Sequence, residues 1–300
     1  MEMAAASGIK LGEEPLNPGK AASTGVGEMI LDAVHKGCRK FIIGIGGSAK
    51  TEGGIGMLSA LGYDFMDENG DRLSPVFDSL EKVVQIKNNR VPEVLKDCHF
   101  QIACDVTNPL CGARGCVYVF GAQKGVKEEE KESMDRAMQS YAACLEKFTG
   151  KKLSEIPGTG AAGGLGFAFL WGLPNVELKP GIDIVLEAVG LASELQDADI
   201  VVTGEGCLDF QTAMGKVPVG VAKIAKNYNC KVIAFAGSVT EEAKKCNEKG
   251  IDAFFSILPG VCSLDEAMDT EIAQKNMRNA AEQVFRLVLA CGKEKSSLHP

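Results

Sequence analysis

The run VVTGEGCLDFQTAMGK, Val201 to Lys216, lies in the most regular part of the chain and sets how the rest is read. Its apolar lead, Ile200-Val201-Val202, reads as a buried strand. Two more follow at even intervals, Val232-Ile233-Ala234-Phe235 and Ala253-Phe254-Phe255, with amphipathic stretches between them. Strand, loop and helix in repetition call for a doubly wound parallel sheet, because parallel neighbours need a crossover connection. Ser263 and Glu266 have the spacing of a capping box, which predicts a last helix running to about Leu289. Toward the N-terminus, Phe41-Ile42-Ile43 and Phe100 to Cys104 read as further strands. Val26, Met29, Ile30, Ala33 and Val34 keep helical spacing, with Gly37 as the stop. Glu128 to Phe148 predicts a helix with an acidic first turn and Met134, Met138, Tyr141 and Leu145 on its apolar face. The fold class is therefore α/β with two α/β domains, residues 1–178 and 179–300, joined near Pro174 to Pro180. Glu2 to Ser7 reads as the tail of a strand.

Three hundred residues suffice for two such domains. The 32 basic and 40 acidic residues leave a net charge of −8, which argues against a nucleic-acid clamp, since phosphate neutralisation needs clustered Lys and Arg. The longest apolar stretch, Gly163 to Leu173, is about half of what a membrane helix requires, so no membrane partner is expected. Met1-Glu2-Met3-Ala4 lacks the basic-then-apolar start of a secretory signal. Eleven cysteines contain no CxxC pair, so neither a zinc site nor a thioredoxin-like motif is supported. Cys38, Cys104, Cys144 and Cys230 lie in or beside apolar runs and read as free core thiols in a reducing cytoplasm.

Glycine is the outlier, 35 of 300 residues or about 12%, against about 7% ordinarily, and it clusters in loops that could carry chemistry. In GIGGSAKTEGGIG, Gly44 to Gly56, a strand leads into backbone N–H groups that can cradle phosphate. Gly44, Gly46 and Ala49 also match a dinucleotide fingerprint, with Asp64 twenty residues on, which makes a nicotinamide or flavin oxidoreductase a competing reading. Gly53, Gly54 and Gly56 weigh against it, because they interrupt the helix that the fingerprint requires. CDVTNPLCGARG, Cys104 to Gly115, with VFGAQKG, Val119 to Gly125, brings Asp105 to a strand end and adds the cations Arg114 and Lys124. PGTGAAGGLGFAF, Pro157 to Phe169, reads equally as a substrate loop and as close helix packing. In the run from Val201 to Lys216, Thr203, Glu205 and Asp209 come off a strand end, followed by Gln211, Thr212 and Lys216. Two carboxylates and a lysine beside a helix start suit metal-assisted phosphoryl transfer. It is not a Walker A, since Val217 stands where Ser or Thr would be. His35, His99 and His299 have no motif around them, and a hydrolase triad has little support.

These loops together resemble the type-1 glycerate kinase family. The matching runs are EMAAASG, TGVGEMI, IIGIGGSA with EGGIGML, CDVTNPLCG with FGAQKG, PGTGAAGGLGF, VVTGEGCLDFQT with GKVPVGVAK, AFAGSV, and IDAFFSILPG followed by SLDEAM. The resemblance implies two α/β domains, one flavodoxin-like and built from both termini, the other inserted. It implies ATP-dependent phosphorylation of D-glycerate with Mg2+, in glyoxylate and sugar-acid catabolism. Gly46, Gly47 and Ser48 fall in a family glycine motif, and Glu205 and Asp209 in the family GEG…D motif. On chemical grounds Asp209 is expected as base or metal-side carboxylate and Glu205 on Mg2+. Lys124 and Lys216, with Gly46, Gly47 and Ser48, would serve phosphate, and Arg114 the glycerate carboxylate. Asp105, Asn108, Thr159 and Gly160 would complete the substrate site. Two departures stand out. Thr51-Glu52 replace the usual Asn-Asp, and the family's upstream strand and Ser- and Gly-containing loop have no counterpart before EMAAASG. The flavodoxin-like sheet is thus expected to lack its N-terminal part and to expose an edge, with a homo-oligomer or a separate polypeptide as possible partners. A non-catalytic ligand-binding homologue is the alternative to a kinase.

Overall fold

Phe41 and Ile43 are buried while Lys40 and Ile42 face out, so Lys40–Gly44 is a strand with one side on the core, β1. The computed structural model describes residues 1–9 and 17–292. The chain divides into two units, Met1–Ile184 and Val185–Pro300.

In the first unit β1 is followed by β2 (Asp64–Met66), β3 (Gln85–Lys87), β4 (His99–Ala103) and β5 (Val176–Lys179). β4 lies between β1 and β5 and runs parallel to both; β2 and β3 form a separate antiparallel pair. Phe41 is in register with Phe100, and their rings stack with centroids 4.8 Å apart. Helix Thr24–His35 buries Val26, Ile30 and Val34 against the core. It ends in a Schellman motif: Gly37, at φ 92°, donates to Val34, and Cys38 donates to Ala33. Helix Lys131–Thr149 buries Met134, Met138, Tyr141 and Leu145, the face that the spacing predicts. Glu128–Glu130 form a tight turn ahead of it instead of its first turn.

The second unit holds β6 (Ile200–Leu208), β7 (Lys231–Val239) and β8 (Ala253–Ser256), all parallel and in that order. Helix Val217–Lys226 links the first two. Val201, Val219, Ala222, Val232 and Ala234 pack on one side of the sheet, and Ile233, Phe235 and Val284 on the other. The α/β class with parallel sheets is thus the observed one. Among the described residues β6 pairs with β7 alone, so its other edge is open.

Four expectations need correction. β6 does not stop at the apolar run; its ladder with β7 continues to Leu208 opposite Val239, so Thr203 and Glu205 lie within the strand. Glu2 to Ser7 is not a strand tail: only Glu2 bridges to Gly44, and Ala4–Ser7 is a helical turn, the conformation that consecutive alanines favour. Ser263 and Glu266 do form the capping box, but the helix that they start ends at Met268. Asp269 is extended and accepts from the Ile272 amide at 2.9 Å, which caps a new helix, Thr270–Gly292. All eleven cysteines are free, as expected; Cys104 and Cys230 are buried and Cys144 half-buried, but Cys38 is exposed. No helix among the described residues is long and apolar enough to cross a membrane.

The glycines fall into two physical classes. A Cβ on Gly163 would lie 2.1 Å from the Lys50 carbonyl oxygen, and the residue is at φ 67°. A Cβ on Gly46 would meet nothing within 4 Å. Gly163→Ala is therefore expected to lower the unfolding free energy by about 2–5 kcal/mol, from left-handed strain plus overpacking. Gly46→Ala should stay within about 0.5 kcal/mol of the wild type. Urea unfolding of the two variants checks both.

Candidate functional site

After β1 the chain does not enter a helix at once. It turns through Gly53 and Gly54, at φ 65° and 74°, before the helix Ile55–Ala60 begins. Asp64, the acid that a dinucleotide would need, is held by Arg72 at 2.8 Å and by Arg90 at 2.9 Å. Both observations set the dinucleotide reading aside. The loop is instead pinned by the N-terminal segment: the Ala49 amide donates to Ser7 at 3.0 Å and the Ile9 amide to Gly47 at 2.9 Å. Gly46, Gly47 and Ser48 line a pocket of about 310 Å³ together with Asp105, Gln123 and Lys124. The open space over Gly46 shows that no packing contact demands glycine there.

Beside that pocket lies a group of charges that sequence reasoning largely missed. Lys50, Glu52 and Lys124 are each 1% exposed or less. The Lys124 ammonium donates to the Lys50 carbonyl at 2.9 Å, and the Lys50 ammonium lies 2.7 Å from the Met3 sulfur. Burial lowers both lysines to about 8, opposed by Glu52 at Lys50 and by Cys116 and then Glu52 at Lys124. Burial likewise raises Glu52, opposed chiefly by Lys50. The Glu52 carboxylate lies near the Ser23 hydroxyl and the Gly54 and Gly56 amides, yet no hydrogen bond of full geometry reaches it. The Thr51 and Tyr141 hydroxyls are also buried without a partner. A Lys and a Glu set among six glycines, Gly44 to Gly56, were the available signal, but a glycine loop reads as a surface feature.

The remaining expected residues of the first unit divide. Asp105 lines the pocket and accepts from the Gly181 amide at 2.9 Å. Asn108 does not line it: its side-chain amide donates to the Arg114 carbonyl at 2.8 Å, and its own carbonyl accepts from Gly158 and Gly160. The Arg114 side chain is exposed and outside the pocket wall. Thr159 is fully buried, its hydroxyl donating to Ser154 at 2.9 Å and Ile156 at 2.7 Å, and a Cβ on Gly160 would meet the Pro109 oxygen at 2.2 Å. Thr159, Gly160, Gly163 and Gly164 are thus held in packing contacts, while Ala161 and Ala162 of the same loop line the pocket. His35 and His99 are on a helix and a strand away from either site, and His299 lies outside the described residues.

In the second unit, β6 presents Glu205, and Asp209 caps the short helix Phe210–Ala213. The Thr212 amide donates to the Asp209 carboxylate at 3.0 Å, and the Asp209 amide donates to the Thr212 hydroxyl at 3.2 Å. That hydroxyl donates in turn to the Glu205 carboxylate, so Thr212, itself fully buried, ties the two acids together. The Thr212 amide, with help from Lys216, holds the Asp209 carboxyl below its usual range. An acid so held is a weak base. Lys216 is exposed. Glu205 and Gly206 also line a cavity of about 820 Å³ whose other walls include Phe235, Leu264 and Met268.

No group of three or more acidic, histidine or cysteine side chains among the described residues could enclose a metal ion. The pair Glu205 and Asp209 suits a cation that keeps most of its shell for water and substrate, which is the habit of Mg2+. Thr212→Val, which removes the hydroxyl that joins the acids, is expected to cost about 1–2 kcal/mol in urea unfolding. Thr212→Ser should recover most of it.

The glycerate kinase family model matches residues 1–289. A glycerate kinase from Bacillus subtilis (strain 168) is 42% identical over 287 residues, 95% of this chain and 75% of that protein. The glycerate 2-kinase of Escherichia coli (strain K12) is 44% identical over 268 residues, 89% of this chain and 70% of its own. The crystal structure of a protein assigned as glycerate kinase 2 from Salmonella typhimurium LT2 superposes with a TM-score of 0.84 at 41% identity, covering 97% of this chain and 76% of that one.

Proposed function

The chain belongs to the glycerate kinase family, and on that footing we propose that it transfers the terminal phosphoryl group of ATP to D-glycerate with Mg2+ as the metal. The observation that carries this reading is the family match over residues 1–289, and the chemistry of the two sites supports it. Phosphoryl transfer leaves a protein little covalent work; it needs positioning and charge compensation. Glu205 and Asp209 would hold Mg2+, and the ion would offset the negative charge of the donor phosphates. Thr212 keeps the two carboxylates in fixed relation, and Lys216 stands beside Asp209 as a cation for phosphate. The cavity beside Glu205 has the volume that nucleotide-sized ligands take.

In the first unit, Gly46, Gly47, Ser48 and Lys124 line a pocket whose amides, hydroxyl and ammonium would suit a small anion. Asp105 at the same pocket can accept from a hydroxyl, which a hydroxy acid provides. Arg114, exposed and outside the wall, is retained only as a cation for the glycerate carboxylate during approach. We take the 2-hydroxyl as acceptor, as the name of the Escherichia coli relative says of that enzyme. A cytoplasmic location fits eleven free thiols.

Incubating the chain with ATP, Mg2+ and D-glycerate and reading phosphorus NMR tests the proposal. The expected product is 2-phosphoglycerate, and Glu205→Ala and Asp209→Ala should each lower kcat at least about 100-fold. Near-normal turnover in either variant would remove that residue from the site.

A further inference from the structure

The buried charges beneath the glycine loop do not balance. Lys50 and Lys124 are two ammonium groups, and Glu52 is the carboxylate that faces them. Of the other titratable groups around them, Cys116 bears on Lys124 ahead of Glu52, but as a protonated thiol it carries no charge. Burial pushes the Cys116 thiol up to about 12, and Tyr141 is raised well above its ordinary value, so both are neutral near pH 7. Asp135 acts on Cys116 and is engaged by the Gly112 amide and the Gln139 side chain. Asp105 lines the same pocket and is engaged by the Gly181 amide. One positive charge is thus left over in a nearly closed interior, and of the two lysines it is Lys124 that lines the pocket.

A carboxylate with no hydrogen bond of full geometry is costly to bury, and Glu52 is 0% exposed. Its placement makes sense if its charge is needed where it is. Without Glu52, two neighbouring ammonium groups would repel each other out of reach of water, and one would shed its proton. We propose that Glu52 is a positioning residue that offsets Lys50 and so leaves Lys124 as the charged floor of a pocket for a small anion, a carboxylate or a tetrahedral oxyanion. This rests on reading the pocket as the place where anionic substrate binds, and it adds two residues, Lys50 and Glu52, that work through Lys124 without touching the ligand. The Lys124 ammonium already spends one hydrogen on the Lys50 carbonyl, which fixes its direction and leaves two donors for a ligand.

The test is calorimetric titration of the full chain with D-glycerate from pH 6.5 to 9.5, a range over which the carboxylate of the probe stays ionised. Sulfate, a constant dianion, is the second probe. Binding should weaken as pH rises through about 8, where Lys124 loses its proton. Removing the negative charge favours the neutral amine, so Glu52→Gln should move that fall toward lower pH by about one unit, about fivefold weaker binding at pH 8. Glu52→Asp should restore most of the wild-type profile, and Lys124→Met should abolish it. Binding of D-glycerate identifies a carboxylate site, and binding of sulfate alone an oxyanion site; either supports the inference if the Glu52→Gln shift accompanies it. A folded Glu52→Gln variant with an unmoved profile would overturn it, as would Lys124→Met binding like the wild type. Should Glu52→Gln fail to fold, a wild-type profile that is flat from pH 7 to 9.5 overturns the inference, and Glu52→Asp supplies the comparison. Failure of the kinase reading shows separately, as absent turnover while the binding profile and its shift persist.

Discussion

Two backbones meet at Gly163 and the Lys50 carbonyl with no room for a side chain, and the architecture of the first unit's site depends on that contact. The Gly53 amide donates to the Gly163 carbonyl at 2.9 Å, which locks the turn before helix Ala161–Gly172 straightens onto the loop after β1. The same Lys50 carbonyl receives the Lys124 ammonium. One peptide group therefore both closes the packing and aims a charge. The cost is the burial of three ionisable side chains, several kcal/mol for each ion before compensation. A fold retains such an arrangement when the charges serve something other than stability, and the adjoining pocket is the evident beneficiary.

The two units carry different kinds of chemistry. The first offers backbone amides, a hydroxyl and a buried cation around a small pocket. The second offers a pair of carboxylates bridged by a threonine and a larger cavity with apolar walls. The capped geometry of Asp209 matters here. Its carboxylate is organised by the backbone of the helix that it starts, so its direction does not depend on a long, flexible side chain.

Much of the fold was legible because it rests on local rules. The strands at Lys40–Gly44 and His99–Ala103, the face of helix Lys131–Thr149 and the stop at Gly37 follow from periodicity and glycine conformation. The misreadings have equally local causes. Glycines within Val201 to Lys216 look like a loop, yet β7 alongside keeps Gly204 and Gly206 in the strand. Asp269 interrupts an apolar pattern that continues on both sides, and only its cap betrays the break. At the site, Thr159 has the composition of a ligand loop and the environment of a core residue. Glu52 is the reverse case: a carboxylate whose complete burial no one-dimensional pattern signals. Burial of charge is decided by contacts over long sequence separations, here Lys124 reaching Lys50 and Met3 lying against it.

The central claim is that the loop after β1 is a ligand cradle, and that in the loop before Phe167 only Ala161 and Ala162 reach the pocket while Thr159, Gly160, Gly163 and Gly164 pack. Hydrogen exchange measured on peptides covering 44–52 and 157–166, with and without saturating D-glycerate, tests it directly. Slower exchange is expected over Gly46 to Ser48 on addition of D-glycerate, with a smaller change over Thr159 to Gly164, where only Ala161 and Ala162 line the pocket. Protection confined to the second segment, or the same exchange in both with and without D-glycerate, would contradict it.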